Sequence, residues 1–270
     1  MSKLHRPQPE NLRGSFAGLL QRLVVLLYGV VAYAIFFATF LYAIGFVGNV
    51  VVAKSIDAPA LAPLGLALLT NGALLGLFAV QHSLMARPFF KRWLTRLIPE
   101  PAERSTYVLF SSLALLLLFA FWQPMGGVVW QVENEVARAL IQLGFAFGWM
   151  LVLVTTFLIN HFDLFGLRQV WLCFRQRPYT SLKFTTPGPY KLVRHPLYVG
   201  WFFAFWCTPT MTAAHLFFAV MTTVYILVAI RLEERDLEKF HPEYTEYKLR
   251  TPMLIPRVGA NAEPVHHAFD

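Results

Sequence analysis

The chain has 270 residues, of which 57% are hydrophobic and only 14% are charged. A soluble domain of this length does not need so much apolar sequence, so the composition predicts a membrane protein with several spans. The net charge of +8 would suggest nucleic-acid binding in a soluble protein. In a membrane protein, Lys and Arg facing an anionic cytoplasmic leaflet explain it better, so no nucleic-acid partner is expected.

Four apolar stretches, each long enough to cross the bilayer, follow a polar and basic N-terminal segment. Residues 1–21 are predicted to form a cytoplasmic tail, and no cleavable signal peptide is expected. The predicted spans are residues 23–47, 61–84, 107–122 and 140–159. Because the loops at residues 87–104 and 168–194 are rich in Lys and Arg, we expect both loops and both termini in the cytoplasm.

A fifth apolar stretch, residues 197–230, is too long for one span. As a single helix it would be about 51 Å long, whereas the hydrocarbon core is about 30 Å thick. Pro209 interrupts it, so the sequence predicts a hairpin that breaks at residues 207–212 and has a short first arm. A hairpin returns the chain to its starting side, so Arg194 at one foot and Glu233 and Glu234 at the other are expected to meet.

The expected fold class is an all-α integral membrane protein with four spans and a C-terminal broken helical hairpin, five to six membrane helices in all. We predict a single domain whose residues 253–270 form a flexible C-terminal tail. No Gly-rich loop follows a strand, so a Rossmann domain is not expected. Neither the eight histidines nor Cys173 and Cys207 form a metal-binding motif, so no metal is predicted. The sequence leaves a homo-oligomer open.

Residues 186–252 carry a set of motifs that resembles a known superfamily. They contain Gly188-Pro189-Tyr190, then Arg194-His195-Pro196 with Tyr198 and Gly200, then Glu233 and Glu234, and finally Tyr244, Tyr247 and Arg250. The pattern is similar to the isoprenylcysteine carboxyl methyltransferase and phospholipid methyltransferase superfamily, in which this region binds S-adenosylmethionine. Residues 81–87 and 160–168 extend the resemblance to the nurim and NnrU-like branch, which includes bacterial small-thiol methyltransferases.

The resemblance implies that S-adenosylmethionine is the co-substrate. Its sulfonium, adenine and amino-acid end require an acid, apolar or aromatic faces, and a base. The residues implied on the adenosine side are Tyr190, Val193, His195, Pro196, Tyr198 and Gly200, the last for close backbone approach. Those implied near the amino-acid end are Glu233 or Glu234, and Arg250. Ion pairs with Arg231 or Arg235 are the alternative for the glutamates, and interfacial packing is the alternative for Tyr244 and Tyr247.

Methyl transfer to sulfur needs a thiolate, and a simple alkanethiol is mostly protonated at neutral pH. The site therefore needs a base or a cation, and the catalytic candidates are Arg194, Arg168, His161, His82 and Asp163. We expect Asp163 to orient His161. The alternative roles are an interhelical hydrogen bond for His82 and a helix cap for His161.

The leading hypothesis is methyl transfer from S-adenosylmethionine to a small thiol, methanethiol to dimethyl sulfide, by in-line thiolate attack. Thiolate and sulfonium lose their charges together, which suits a poorly hydrated pocket at the cytoplasmic boundary of a bacterial inner membrane. The expected partners are then the small thiol and the lipid bilayer, with a homo-oligomer left open. The alternatives are another lipophilic thiol or carboxylate acceptor, an NADPH-dependent sterol-reductase-like enzyme, and a non-catalytic, nurim-like structural protein.

Overall fold

The computed structural model describes residues 16–257, and this part of the chain is mostly helical. Five of its helices are long and apolar enough to cross a bilayer. They are α1 (Phe16–Gly48), α2 (Leu64–Met85), α4 (Glu103–Phe121), α5 (Glu135–Ile159) and α9 (Ala213–Phe240). The predicted all-α integral membrane fold is confirmed. Residues 16–21, assigned to the N-terminal tail by the sequence, begin α1, while residues 1–15 and 258–270 lie outside the described part.

Five shorter helices connect the spans or flank them. They are α3 (Pro88–Leu94), α6 (His161–Leu164), α7 (Leu167–Phe174), α8 (Pro196–Trp206) and α10 (Glu243–Arg250). Two of them, α3 and α7, lie in stretches that the sequence predicted only as charged loops. The fully buried Val170 of α7 packs with Val25 of α1 and with Ala102, so α7 belongs to the helical core.

The hairpin breaks where the sequence predicted, because α8 ends at Trp206 and α9 begins at Ala213. Its turn carries a short strand, β2 (Thr210–Thr212), which pairs antiparallel with β1 (Val128–Gln131). The strand β1 follows a turn at Gly126 and Gly127, whose φ angles of +64° and +65° suit glycine. The sequence did not predict this small sheet, which ties the hairpin turn to the segment between α4 and α5.

The short arm α8 packs along α5 with direct contact between the two backbones. A Cβ atom on Gly148 would lie 2.5 Å from the backbone N of Ala204, and one on Gly200 would lie 2.9 Å from the carbonyl oxygen of Gly148. Glycines of this kind let membrane helices approach closely. The close backbone approach expected at Gly200 is present, and the backbone that Gly200 approaches is that of α5.

We expect Gly148→Ala to destabilise the protein, because the new methyl group would collide with the α8 backbone. Overpacking of this kind costs about 1–3 kcal/mol, which should lower the melting temperature by several degrees. Gly76→Ala is the matched control, since a Cβ there meets nothing within 4 Å. Thermal unfolding in detergent measures both variants, and equal melting temperatures would contradict the packing role.

Asp57, in the segment after α1, lies beside the turn of the hairpin. Through Thr212 and His215 it connects that segment to both hairpin arms. His215 is 1% exposed, and its Nδ1 lies 3.2 Å from Asp57 Oδ2, while its Nε2 donates to the carbonyl of Phe205 at 3.0 Å. The Thr212 hydroxyl donates to the other carboxylate oxygen. Burial acts to raise the pKa of Asp57, but the hydrogen bonds from His215 and Thr212 outweigh it and hold the pKa below its usual value.

A carboxyl group whose pKa is lower in the folded state stabilises the fold at pH values above its pKa in the unfolded chain, which is near 4. This stabilisation is lost as the pH falls through the lower pKa of the folded state. Asp57→Asn should therefore lower the melting temperature at pH 6–7, by the equivalent of about 1–3 kcal/mol. The difference between variant and wild type should shrink as the pH falls below about 4. Melting curves across this range test the prediction, and a pH-independent difference would contradict it.

Candidate active site

A buried ionic cluster lies at the foot of the hairpin. Arg194 Nε donates to Glu234 Oε1 at 2.8 Å, and His195 Nε2 lies 3.0 Å from the same oxygen. Lys248 of α10 approaches the other oxygen of Glu234 at 3.1 Å. The side chains of Arg194, His195 and Glu234 are at most 10% exposed. The hairpin thus brings Arg194 and Glu234 together across 40 positions, as the sequence predicted.

Glu233, the neighbour of Glu234, has a different environment. Its side chain is 48% exposed, and it accepts a hydrogen bond from the Tyr198 hydroxyl at 3.0 Å, with His195 Nδ1 at 4.0 Å. A carboxylate offers about four acceptor positions. Those of Glu234 are engaged by the cations Arg194 and Lys248 and by His195, whereas Glu233 keeps capacity for a cationic ligand. Within the described residues, Glu234 does not pair with Arg231 or Arg235, the alternative that the sequence left open.

The segment after α10 runs back along the foot of α8. The backbone N–H groups of Arg194 and His195 donate to the carbonyls of Pro252 and Met253, at 2.9 and 3.2 Å. The Arg194 guanidinium also donates to the carbonyl of Thr251 at 2.5 Å, just beyond α10. Cations are favoured at such helix ends. Since Met253 packs against the core, the first residues of the predicted flexible tail belong to the ordered site.

Three tyrosines flank the cluster. The Tyr247 hydroxyl donates to the carbonyl of Tyr190 at 2.5 Å, and Tyr244 is 2% exposed. Burial raises the pKa of Tyr247 to about 12, against the opposing effect of the Arg194 charge. Burial, and then the negative charge of Glu233, raise the pKa of Tyr190. All three phenols therefore stay neutral at physiological pH.

The remaining candidates on the adenosine side are buried. Val193 is 5% exposed. Pro196 is the first residue of α8, where its missing N–H costs nothing. Gly200 faces α5 through the contact described above. Val193 and Pro196 therefore supply apolar surface beside His195.

Arg250 is not part of the cluster. It lies on the exposed side of α10, where it pairs with Glu246 at 2.6 Å, and 66% of its side chain is exposed. The α10 cation that reaches Glu234 is Lys248, which was not predicted from the sequence as a site residue. Hydrogen bonds to Glu238 and then Glu234 raise the pKa of Lys248, so it stays charged.

His161 is held by residues other than the one expected. Its Nδ1 lies 2.8 Å from the Thr156 hydroxyl, its Nε2 lies 2.8 Å from the Tyr33 hydroxyl, and its ring stacks on Phe157. The expected orientation of His161 by Asp163 is therefore wrong. The ring is 3% exposed, and burial lowers its pKa, which keeps the imidazole neutral.

Asp163 and Arg168 pair with each other. Arg168 Nη1 donates to Asp163 Oδ1 at 2.8 Å, and the Tyr179 hydroxyl donates to Oδ2 at 3.2 Å. Arg168 also donates to the carbonyl of Thr180 at 3.0 Å. These contacts fasten the segment after α7 to α6. None of the hydrogen bonds described for residues 16–257 joins this group to the Arg194–Glu234 cluster.

His82 belongs to α2, and its side chain contacts α4. The Tyr107 hydroxyl is 2.7 Å from its Nε2, and the Ser111 hydroxyl is 3.2 Å from its Nδ1. The guanidinium of Arg104 lies 4.9 Å above the Tyr107 ring, and its Nε donates to the carbonyl of Leu164 at 2.7 Å. Arg104 thus connects the motif at residues 160–168 with His82.

Arg104 and Tyr107 were not predicted from the sequence as site residues. Their i, i+3 spacing places both on one face of α4, next to the loop rich in Lys and Arg. This spacing was the available sequence signal that Arg104 and Tyr107 act together. It does not show which neighbouring helix packs against that face of α4.

Comparison with known proteins identifies the family. The model of the family DUF1295, a protein family of unknown function, matches residues 89–251. The chain is 57% identical to methanethiol S-methyltransferase of Crocosphaera subtropica, over 93% of this chain and 98% of that protein. It is 50% identical to methanethiol S-methyltransferase of Mycobacterium tuberculosis, over 88% of this chain and 98% of that protein.

Nurim of Bos taurus is a more distant relative, 31% identical over 61% of this chain and 65% of nurim. No solved structure matches the chain. The chain therefore belongs to the DUF1295 family and to the family of proteins named methanethiol S-methyltransferase.

Proposed function

We propose that the protein transfers the methyl group of S-adenosylmethionine to methanethiol, giving dimethyl sulfide and S-adenosylhomocysteine. The names of its relatives support a methyltransferase role. One observation carries the location of the site: at the foot of the hairpin, Glu234 is held by Arg194, Lys248 and His195, while the neighbouring Glu233 keeps a half-exposed carboxylate.

The residues at this foot suit each part of S-adenosylmethionine. Glu233 supplies the acid for a cationic group, and Tyr190 and Val193 supply aromatic and apolar surface. Lys248, whose side chain is 37% exposed, is the cation for the carboxylate end. His195 and Arg194 hold Glu234 and the α10 segment in position, so the site is preorganised before the co-substrate binds.

The site faces the cytoplasm of a bacterial inner membrane in this proposal. The segments at residues 87–104 and 168–194, rich in Lys and Arg, lie at the same end of the bundle as the site. Arg87 pairs with Asp236 at 3.2 Å, and Arg194 belongs to the site itself. Positive segments of membrane proteins stay on the cytoplasmic side.

Purified protein in detergent, mixed with S-adenosylmethionine, tests the proposal. Dimethyl sulfide is measured in the headspace and S-adenosylhomocysteine in solution, with and without methanethiol. We expect both products to form only when the thiol is present. Co-substrate binding without dimethyl sulfide would contradict the acceptor, and absence of binding would contradict the methyltransferase role.

A further inference from the structure

Four side chains from four helices form a polar group between the membrane helices, here named the tyrosine–histidine cluster: His82 of α2, Tyr107 of α4, Tyr198 of α8 and Tyr225 of α9. Tyr107 hydrogen-bonds His82 at 2.7 Å. Tyr198 hydrogen-bonds Glu233 at 3.0 Å, and Tyr225 hydrogen-bonds Ser83, the neighbour of His82, at 3.2 Å. The cluster therefore extends from the candidate co-substrate site towards His82.

Polar side chains inside membrane helices are costly and tend to mark functional sites. Tyr107 is 9% exposed, and the His82 ring stacks on Phe78 at 5.1 Å. Gln81 Oε1, beside His82, is buried and has no hydrogen-bond partner within residues 16–257. The fold thus leaves polar capacity unused next to the Tyr107–His82 pair.

We propose that Tyr107 and His82 remove the proton from the acceptor thiol. Tyr107 is the catalytic residue that contacts the sulfur, and His82 is the base that receives the proton through it. This inference rests on the proposed function and names the group that activates its acceptor. The contacts allow the tautomer of His82 that this relay needs, in which Nδ1–H donates to Ser111 and Nε2 accepts from the Tyr107 hydroxyl.

The S–H proton moves to the oxygen of Tyr107 while the Tyr107 hydroxyl proton moves to His82 Nε2. The thiol sulfur forms a bond to the methyl carbon as the bond between that carbon and the sulfonium sulfur breaks, and the electron pair of that bond stays on the departing S-adenosylhomocysteine. His82 then releases its proton to solvent. Arg104, 4.9 Å above the Tyr107 ring, favours the negative charge that passes through the phenol oxygen.

Three variants test the proposal: Tyr107→Phe, His82→Gln and the control Tyr28→Phe. The Tyr28 hydroxyl makes a similar interhelical hydrogen bond, 2.9 Å to Thr106, outside the cluster. At pH 7 we expect the first two variants to lower kcat about 100-fold or more, with unchanged affinity for S-adenosylmethionine. The control should keep both values.

The pH profile separates proton removal from a structural role. Without the relay, turnover depends on thiolate from solution, so kcat of Tyr107→Phe should rise about tenfold per pH unit up to the pKa of the thiol. The side chains that face the pair are Arg104 and Glu103 on α4, Tyr198 on α8, and Tyr225 and Glu233 on α9. The control variant retains all of them and should follow the wild-type profile.

Wild-type turnover with methanethiol must be seen first, and its absence would overturn the proposed function itself. If the wild type is active and Tyr107→Phe matches it in kcat, the relay is overturned. A loss of kcat that is the same at every pH would equally overturn proton removal and leave Tyr107 a structural residue.

Discussion

Glu233→Gln is expected to weaken the binding of S-adenosylmethionine about 10- to 100-fold without lowering the melting temperature. Glu233 is half-exposed and receives a hydrogen bond from Tyr198, so the fold does not depend on its charge. A hydrogen bond to a charged group contributes about 1.5–3 kcal/mol, and each 1.4 kcal/mol corresponds to a tenfold change in affinity. Equilibrium binding of labelled S-adenosylmethionine to protein in detergent measures the effect.

Two further variants make this result specific. Glu234→Gln should lower the melting temperature as well as the affinity, because Arg194 and Lys248 lose the carboxylate that pairs them. Glu246→Gln removes a charge from an exposed i, i+4 pair on α10 and should change neither value. If Glu233→Gln binds like wild type while Glu234→Gln loses affinity at an unchanged melting temperature, the two glutamates have the opposite roles.

The residue pairs that the sequence could predict are those fixed by chain topology. Span length and Pro209 required a hairpin, and a hairpin required Arg194 and Glu234 to lie at one end of the bundle. Bilayer thickness and helical rise are properties of any membrane protein, so this step needed no knowledge of side-chain packing. Side-chain packing is needed to decide which of Glu233 and Glu234 is buried in the ionic cluster, because adjacent residues on a helix point in directions about 100° apart.

The contacts that escaped prediction depend on which helices are neighbours in the bundle. Asp163 lies two residues from His161 and was expected to orient it, yet Tyr33 of α1 supplies the partner of Nε2. Similarly, Tyr107 meets His82 only because α4 packs beside α2. In a membrane protein, lipid-facing and buried positions are both apolar. An apolar stripe along a helix therefore does not show which face packs against another helix. The polar residues of each span therefore predict that a contact exists, without naming its partner.

Arg194→Gln is expected to be the most destabilising single change at the site. It leaves Glu234, whose side chain is 9% exposed, without its best-placed cation and removes the donor to the carbonyl of Thr251. Loss of one partner from a buried ion pair costs up to about 3–5 kcal/mol because the other charge is left uncompensated, and removal of both charges avoids that penalty. The double variant Arg194→Gln/Glu234→Gln should therefore be more stable than the sum of the single effects predicts, with a coupling of about 1–3 kcal/mol.

Thermal unfolding of the two single variants and the double variant in one detergent gives this coupling. Arg168→Gln is the control, since its partner Asp163 also has the Tyr179 hydroxyl and is not part of the hairpin foot. Combined with Glu234→Gln, Arg168→Gln should be additive within about 0.5 kcal/mol, as expected for sites without shared partners. Additive effects for Arg194 and Glu234 would mean that the ion pair does not hold the hairpin foot, and the preorganised co-substrate site would then lose its physical basis.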